Sequence, residues 1–128
     1  MALTLYGIPN CDTVRKARKW LEAEAIDHQF HDFKKQGLKA ETVHGWMAHQ
    51  PLDILLNRRG TSWRKLSDAE KALTDEAQLV ALMVANPSLV KRPVCVAGDT
   101  VTVGFSEEVQ ATLKAVSYTH LRAHETSI

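Results

Sequence analysis

The sequence is poor in cysteine, with only Cys11 and Cys95 in 128 residues. Two thiols cannot build the disulfide framework of a small secreted protein, and no Cys/His cluster has metal-ligand spacing, so no metal site is expected. His28 and His31 flank a strand-like run, and His44 and His49 stand five apart, so no pair points two imidazoles at one metal from a single helix face. Charge of one sign is also missing: 16 Lys and Arg stand against 15 Asp and Glu, a net charge of +1. A near-neutral chain makes no long-range field for gathering nucleic acid or anionic membrane, so any anion must be caught by local contacts. Aromatic residues are only 6%, and no basic stripe accompanies Trp46 or Trp63, which suits packing better than base stacking. No apolar run approaches the roughly 20 residues of a transmembrane helix, and the N-terminus lacks the basic-then-apolar pattern of a secretory signal. These absences predict a cytoplasmic protein with neither nucleic acid nor membrane as partner.

What is present is an ordinary globular composition, 45% hydrophobic and 24% charged, enough for one domain with its own core. Ala2 to Tyr6 reads as a buried strand. Asp12 to Glu24 reads as a helix, with Val14, Ala17, Leu21 and Ala25 at helical spacing. Asp27 to Phe33 reads as a second strand, giving a parallel pair with a right-handed crossover. From about 39 to 90 the chain is helical in outline: Ala40 to His49 stops before Pro51, Leu52 to Leu56 makes a short turn, Ser67 and Glu70 form a capping box, and Asp75 to Ala85 halts at Asn86-Pro87. Pro93 to Ala97 and Thr100 to Val103, joined by Gly98-Asp99, read as a hairpin. Ser106-Glu107-Glu108 opens a last helix that turns Val109, Leu113 and Val116 inward. The predicted order is β-α-β, helical insertion, β-β-α, an α/β fold with a four-stranded mixed sheet over residues 1–116. Residues 117–128 lack apolar periodicity and read as an appended, vector-derived or disordered tail.

Cys11 carries the candidate chemistry. It stands in Tyr6-Gly7-Ile8-Pro9-Asn10-Cys11, where a strand runs through a Gly/Pro turn into a helix start. The free N–H groups and positive dipole end of a helix N-terminus favour a thiolate, the reactive form of cysteine. Arg15, one turn later, places a guanidinium on the same face, while Asp12, expected to be solvated, opposes it weakly. Cys95, within a strand, reads as a buried core thiol.

Four segments in order resemble the glutaredoxin-coupled arsenate reductase (ArsC) family and its Spx/YffB-like relatives, nearest the YffB branch. They are Tyr6 to Cys11 with Arg15, the run Leu55-Leu56-Asn57-Arg58-Arg59-Gly60-Thr61-Ser62-Trp63-Arg64-Lys65-Leu66, the stretch Asn86 to Pro93, and Val103-Gly104-Phe105-Ser106. The resemblance covers about residues 2 to 115 and implies a thioredoxin-like fold, a single catalytic cysteine at Cys11, and Pro93 as a cis-proline preceded by the anion-binding Arg92. It also implies substrate or glutathione binding by Arg92, Pro93, Arg58 and Asn10, although Arg58 stands one residue beyond the family's second arginine, where this chain has Asn57.

The implied activity is a glutathione-dependent thiol reductase acting on small or protein disulfides, with no bound cofactor, glutathione as co-substrate and glutaredoxin as a further candidate partner. A monomer is expected. Arsenate reduction is the first alternative, although no third arginine stands near Gly104-Phe105-Ser106. An Spx-like regulator that binds RNA polymerase is the second. The Cys-x-x-Cys switch of those regulators has no counterpart, because Cys11-Asp12-Thr13-Val14 ends in valine.

Overall fold

Leu3–Gly7 forms strand β1, with Leu3, Leu5 and Gly7 buried and Thr4 and Tyr6 partly exposed. This is the period-two pattern of a strand packed chiefly on one face. The structure, a computed structural model, describes residues 3–126, with side chains through Ser117. The chain divides into two units: one joins the residues up to Asp32 with those from Arg92 onward, and the other is Phe33–Lys91.

In the first unit, helix α1 (Asp12–Ala23) buries Val14, Ala17 and Leu21 completely. Gly7 allows α1 to approach the end of β1, since a Cβ there would lie 2.7 Å from Val14 Cγ2. The helix ends in a Schellman arrangement: Ile26 N–H donates to the Leu21 carbonyl at 2.9 Å, Ala25 N–H donates to that of Glu22 at 3.1 Å, and Ala25 takes φ 56°. Ala25 therefore lies beyond the helix whose apolar face it was expected to extend. Strand β2 (His28–Asp32) follows and pairs in parallel with β1. Strands β3 (Val94–Ala97) and β4 (Thr100–Val103) form the hairpin, with Gly98 at φ 59° in its turn. The sheet order is β2-β1-β3-β4, with β1 antiparallel to β3. The core of the unit joins Leu3 and Leu5 of β1, Val14, Ala17 and Leu21 of α1, Cys95 of β3 and Leu113 of the last helix. The predicted β-α-β and β-β-α halves, and the four-stranded mixed sheet they build, are the observed ones.

In the second unit the strand expected through Phe33 has already ended. Phe33 opens the short helix α2 (Phe33–Gln36), which closes on Gly37 at φ 69°. The unit thus begins earlier than the insertion expected from about residue 39. Helices α3 (Ala40–Met47), α4 (Leu52–Leu55), α5 (Thr61–Arg64), α6 (Asp68–Lys71) and α7 (Glu76–Ala85) follow, and then a 3-10 turn at Pro87–Leu89. The capping box of α6 is complete, with Glu70 N–H donating to Ser67 Oγ at 3.2 Å and Ser67 N–H to Glu70 Oε1 at 3.0 Å. The bonds that Ser67 N–H and the Ser67 hydroxyl donate to the Glu70 carboxylate hold it below its ordinary value. Asp75 caps α7 through Gln78 N–H at 3.1 Å. Leu56 and Val90 form an isolated antiparallel bridge, reinforced by Asn57 N–H on the Leu89 carbonyl at 2.7 Å and Lys91 N–H on that of Leu55 at 2.8 Å.

The last helix, α8 (Glu107–Thr126), starts where expected, with Ser106 Oγ accepting from Val109 N–H at 3.2 Å. It does not stop near Val116. Residues 117–126 continue the helix, because that stretch holds no Gly or Pro to end it and includes the strong helix formers Leu121, Arg122, Ala123 and Glu125. Ser127 and Ile128, the rest of the expected tail, lie outside the described residues.

Candidate active site

Cys11 is the N-cap residue of α1, with extended backbone angles (φ −97°, ψ 126°) suited to that position. Pro9 and Asn10 lie in the turn before it, both exposed, and Cys11 N–H closes that turn on the Ile8 carbonyl at 3.4 Å. The Cys11 carbonyl accepts the first bond of the helix from Arg15 N–H at 2.9 Å. The thiol itself makes no capping bond, is half-buried, and packs against the apolar core of its unit. A sulfur held at a helix start, supported from below and open above, can attack an electrophilic sulfur from solvent.

Arg15, one turn into α1, is not free of partners. Its guanidinium is bound by the carboxylate of Asp12, one turn back on the exposed face of α1. The pairing offsets part of the charge that Arg15 was expected to offer Cys11, and Asp12, with its side chain 86% exposed, is as solvated as expected while also being a partner.

The register Tyr6↔Val94 brings the start of β3 beside the end of β1. The two residues before Val94 therefore enter the sheet where β1 gives way to the Cys11 turn. They are Arg92 and Pro93, and the peptide bond between them is cis. Pro93 is fully buried, and its carbonyl is held by Gly104 N–H at 2.9 Å, with Gly104 at φ 83°. Arg92 is half-exposed, and among the described residues its side chain has no hydrogen-bond or ion-pair partner. A fork-shaped cation left unspent near the Cys11 turn can grip a carboxylate or oxyanion with two parallel bonds.

Cys95 has the opposite character. It is 1% exposed within β3, and burial pushes its thiol up to about 12. Thr102, directly across on β4, offsets part of that rise through its hydroxyl. No geometric hydrogen bond reaches that buried oxygen, so the interaction with the thiol is weak.

Arg58 belongs to the second unit. It donates to Asp53 Oδ1 at 2.8 Å and lies over the Trp63 ring at 5.6 Å from the centroid. The sequence reading missed Asp53 because a lone acidic residue five positions away carries no motif. It also gave no role to Tyr6, whose ring meets that of His31 at 4.9 Å between centroids. The parallel register pairs these two residues, and burial raises the Tyr6 hydroxyl above its ordinary value. Among the described residues no group of three or more His, Cys, Asp or Glu could hold a metal ion, and no helix is long and apolar enough to cross a membrane.

Several known proteins are similar to this chain. The solved structure of the YFFB (PA3664) protein superposes with a TM-score of 0.83 at 43% identity, covering 88% of this chain and 98% of that one. An arsenate reductase (ArsC) related protein from Brucella melitensis is 48% identical with a TM-score of 0.69, covering 84% of this chain and 90% of its own. The global transcriptional regulator Spx of Listeria innocua is 29% identical over 108 residues, 83% of this chain and 82% of its own length. The profile of the ArsC family matches residues 6–113, and the chain belongs to that family.

Proposed function

We propose that this protein is a thiol–disulfide reductase that uses Cys11 as its nucleophile and glutathione as its external resolving thiol. The observation that carries this reading is the contrast between the two cysteines: Cys11 is accessible at a helix start, whereas Cys95 is buried and strongly disposed to keep its proton. With one usable thiol, the second sulfur of the cycle has to come from outside. The Cys11 thiolate attacks the glutathionyl sulfur of a mixed disulfide, forms the Cys11–glutathione disulfide and expels the substrate as a thiolate that takes up a proton. A second glutathione, as thiolate, then attacks that glutathione sulfur. Oxidised glutathione leaves and Cys11 is restored; one glutathione thiol has been consumed, and the disulfide bond has passed from the substrate to glutathione. Arg92 is the first choice for gripping a glutathione carboxylate, since its guanidinium is unspent; Asn10 and Pro93 shape the same end of the sheet. Arg58 shares its charge with Asp53 and contributes less. Residence in the reducing cytoplasm and exchange with glutaredoxin belong to the same proposal.

A second reading, that of a regulator, is favoured by the similarity to Spx. Valine at position 14 argues against a dithiol switch but leaves protein binding open. The deciding experiment assays the purified protein with glutathione against a glutathione mixed disulfide and against arsenate plus glutaredoxin, with an RNA polymerase pull-down in parallel. Turnover of the mixed disulfide that vanishes in Cys11→Ser supports the proposal. Turnover of arsenate alone would redirect it to the oxyanion, and polymerase binding with no turnover would replace it by the regulatory reading.

A further inference from the structure

The second unit carries a surface in which thiol exchange gives a part to Arg58 alone. The bridge Leu56↔Val90 lays residues 55–57 beside residues 89–91, and around it opens a pocket of about 330 Å³ lined by Asp53, Ile54, Asn57, Arg58, Arg59 and Lys91, with Leu56 at its base. Asp53 neutralises Arg58 at 2.8 Å. Arg59 and Lys91 have no side-chain partner among the described residues, so two uncompensated cations stand on one rim of a chain whose net charge is only +1. Ile54 lies on the same rim, 44% exposed and the only exposed large hydrophobic residue among those described. The backbone beneath is fixed: besides the bridge bonds, Asn57 Oδ1 accepts Arg59 N–H at 3.0 Å, so this rim is held in shape before anything binds.

An apolar contact beside arginine and lysine is the make-up of a protein interface, with an apolar centre and a charged rim, and a small solvated anion would have no use for Ile54. We propose that this surface docks an acidic segment of a partner protein, whose carboxylates meet Arg59 and Lys91 while one aliphatic side chain covers Ile54. The proposal goes beyond the thiol reductase reading and does not depend on it.

The test is a binding measurement in which no thiol takes part. A fluorescein-labelled peptide of aspartate and glutamate around a central leucine is titrated against Cys11→Ser protein, with fluorescence anisotropy as the readout. Saturable binding is expected, weakened about tenfold by Arg59→Ala combined with Lys91→Ala, as for loss of charge pairs at an interface. Ile54→Ala is expected to weaken it about fivefold, and replacing the peptide's leucine by serine should do the same. Circular dichroism of each variant confirms that the fold is kept, and Ile54→Ser serves if Ile54→Ala does not fold. Failure of the peptide to bind, or binding indifferent to all three positions, overturns the proposal. So does full displacement by glutathione with no effect of Ile54→Ala, which would make the pocket a small-anion site, and so does equal, Ile54-independent binding of a single-stranded oligonucleotide. Because Cys11 is absent throughout, these outcomes are separate from success or failure of the reductase assay.

Discussion

Cys11 and Cys95 are the same side chain in two regions of one sheet unit, and almost everything about them differs. Cys11 sits where a strand has ended and a helix begins, with its backbone spent on closing a turn and starting the helix and its thiol spent on nothing. Cys95 sits in the middle of the sheet order, paired with Leu5 on one side and Thr102 on the other, and is 1% exposed. Composition counts them alike. Position decides which is free to act as a reagent and which is packing, because a thiolate needs water or positive charge nearby, and a strand buried between two others offers neither.

The largest test of this contrast is substitution at each position. Cys11→Ser is expected to abolish glutathione-dependent turnover, a loss of about a thousandfold or more, because a hydroxyl neither ionises nor forms the mixed disulfide. Cys95→Ser is expected to keep turnover within about twofold while lowering the denaturation midpoint, since it places a stronger polar group in an apolar core. Steady-state rates of the two variants, set beside their denaturation curves, check both halves. Comparable losses of activity at the two positions would make Cys95 a resolving thiol and end the comparison.

Native-state alkylation sharpens it without mutation. Iodoacetamide is expected to modify Cys11 about a hundredfold faster than Cys95, the ratio that about 2.8 kcal/mol of local opening imposes on a buried group. Mass spectrometry of peptides containing each cysteine gives the ratio, and the difference should collapse in denaturant.

Arg92 makes a smaller but more discriminating test, because it lies three residues from Cys95 in sequence yet is assigned to the Cys11 end of the sheet. Lysine keeps the charge and loses the fork. Arg92→Lys is therefore expected to leave the melting temperature nearly unchanged and to lower kcat/KM for glutathione by about tenfold, the equivalent of about 1.4 kcal/mol from one directed, charge-assisted bond. Unchanged kinetics would remove Arg92 from the site.

Much of this contrast was legible in the sequence. Strands read from Val, Leu and Thr runs, and α1 from Val14, Ala17 and Leu21, so the start of α1 and the burial of Cys95 follow from the sequence alone. Punctuation is equally legible at Ser67 and Glu70 and at Ser106, where capping side chains do locally what the structure then shows, whereas Asp75, expected as the first residue of its helix, is the cap of α7. The failures share a physical cause. Asp12 holding Arg15, Asp53 holding Arg58 and Phe33 turning from strand to helix all depend on where a side chain points in three dimensions, which spacing alone leaves open. The continuation of α8 past Ser117 is a different failure: loss of apolar periodicity does not end a helix when nothing in residues 117–126 breaks one.

The smallest expected effect lies at Thr102, whose buried hydroxyl has the Cys95 thiol as its weak partner. Thr102→Val removes an oxygen that gains little from folding and keeps the side chain's shape. It should raise stability at neutral pH by up to about 1 kcal/mol, the scale of an unsatisfied buried polar group. It should also push the Cys95 thiol further up, because the interaction that offsets burial is gone. The sign of the pH dependence follows from the raised value. Above the ordinary 9.0 the unfolded chain gives up a proton that folded Cys95 holds to about 12. Its stabilising contribution is therefore complete below 9.0 and is lost as pH rises toward about 12, at up to about 1.4 kcal/mol per pH unit. Denaturant unfolding at rising pH, with Cys95→Ala as the reference that lacks the titration, isolates this slope. If the two curves ran parallel from pH 9.0 upward, Cys95 would titrate alike in the folded and unfolded chain, and its burial would not be the barrier that separates it from Cys11.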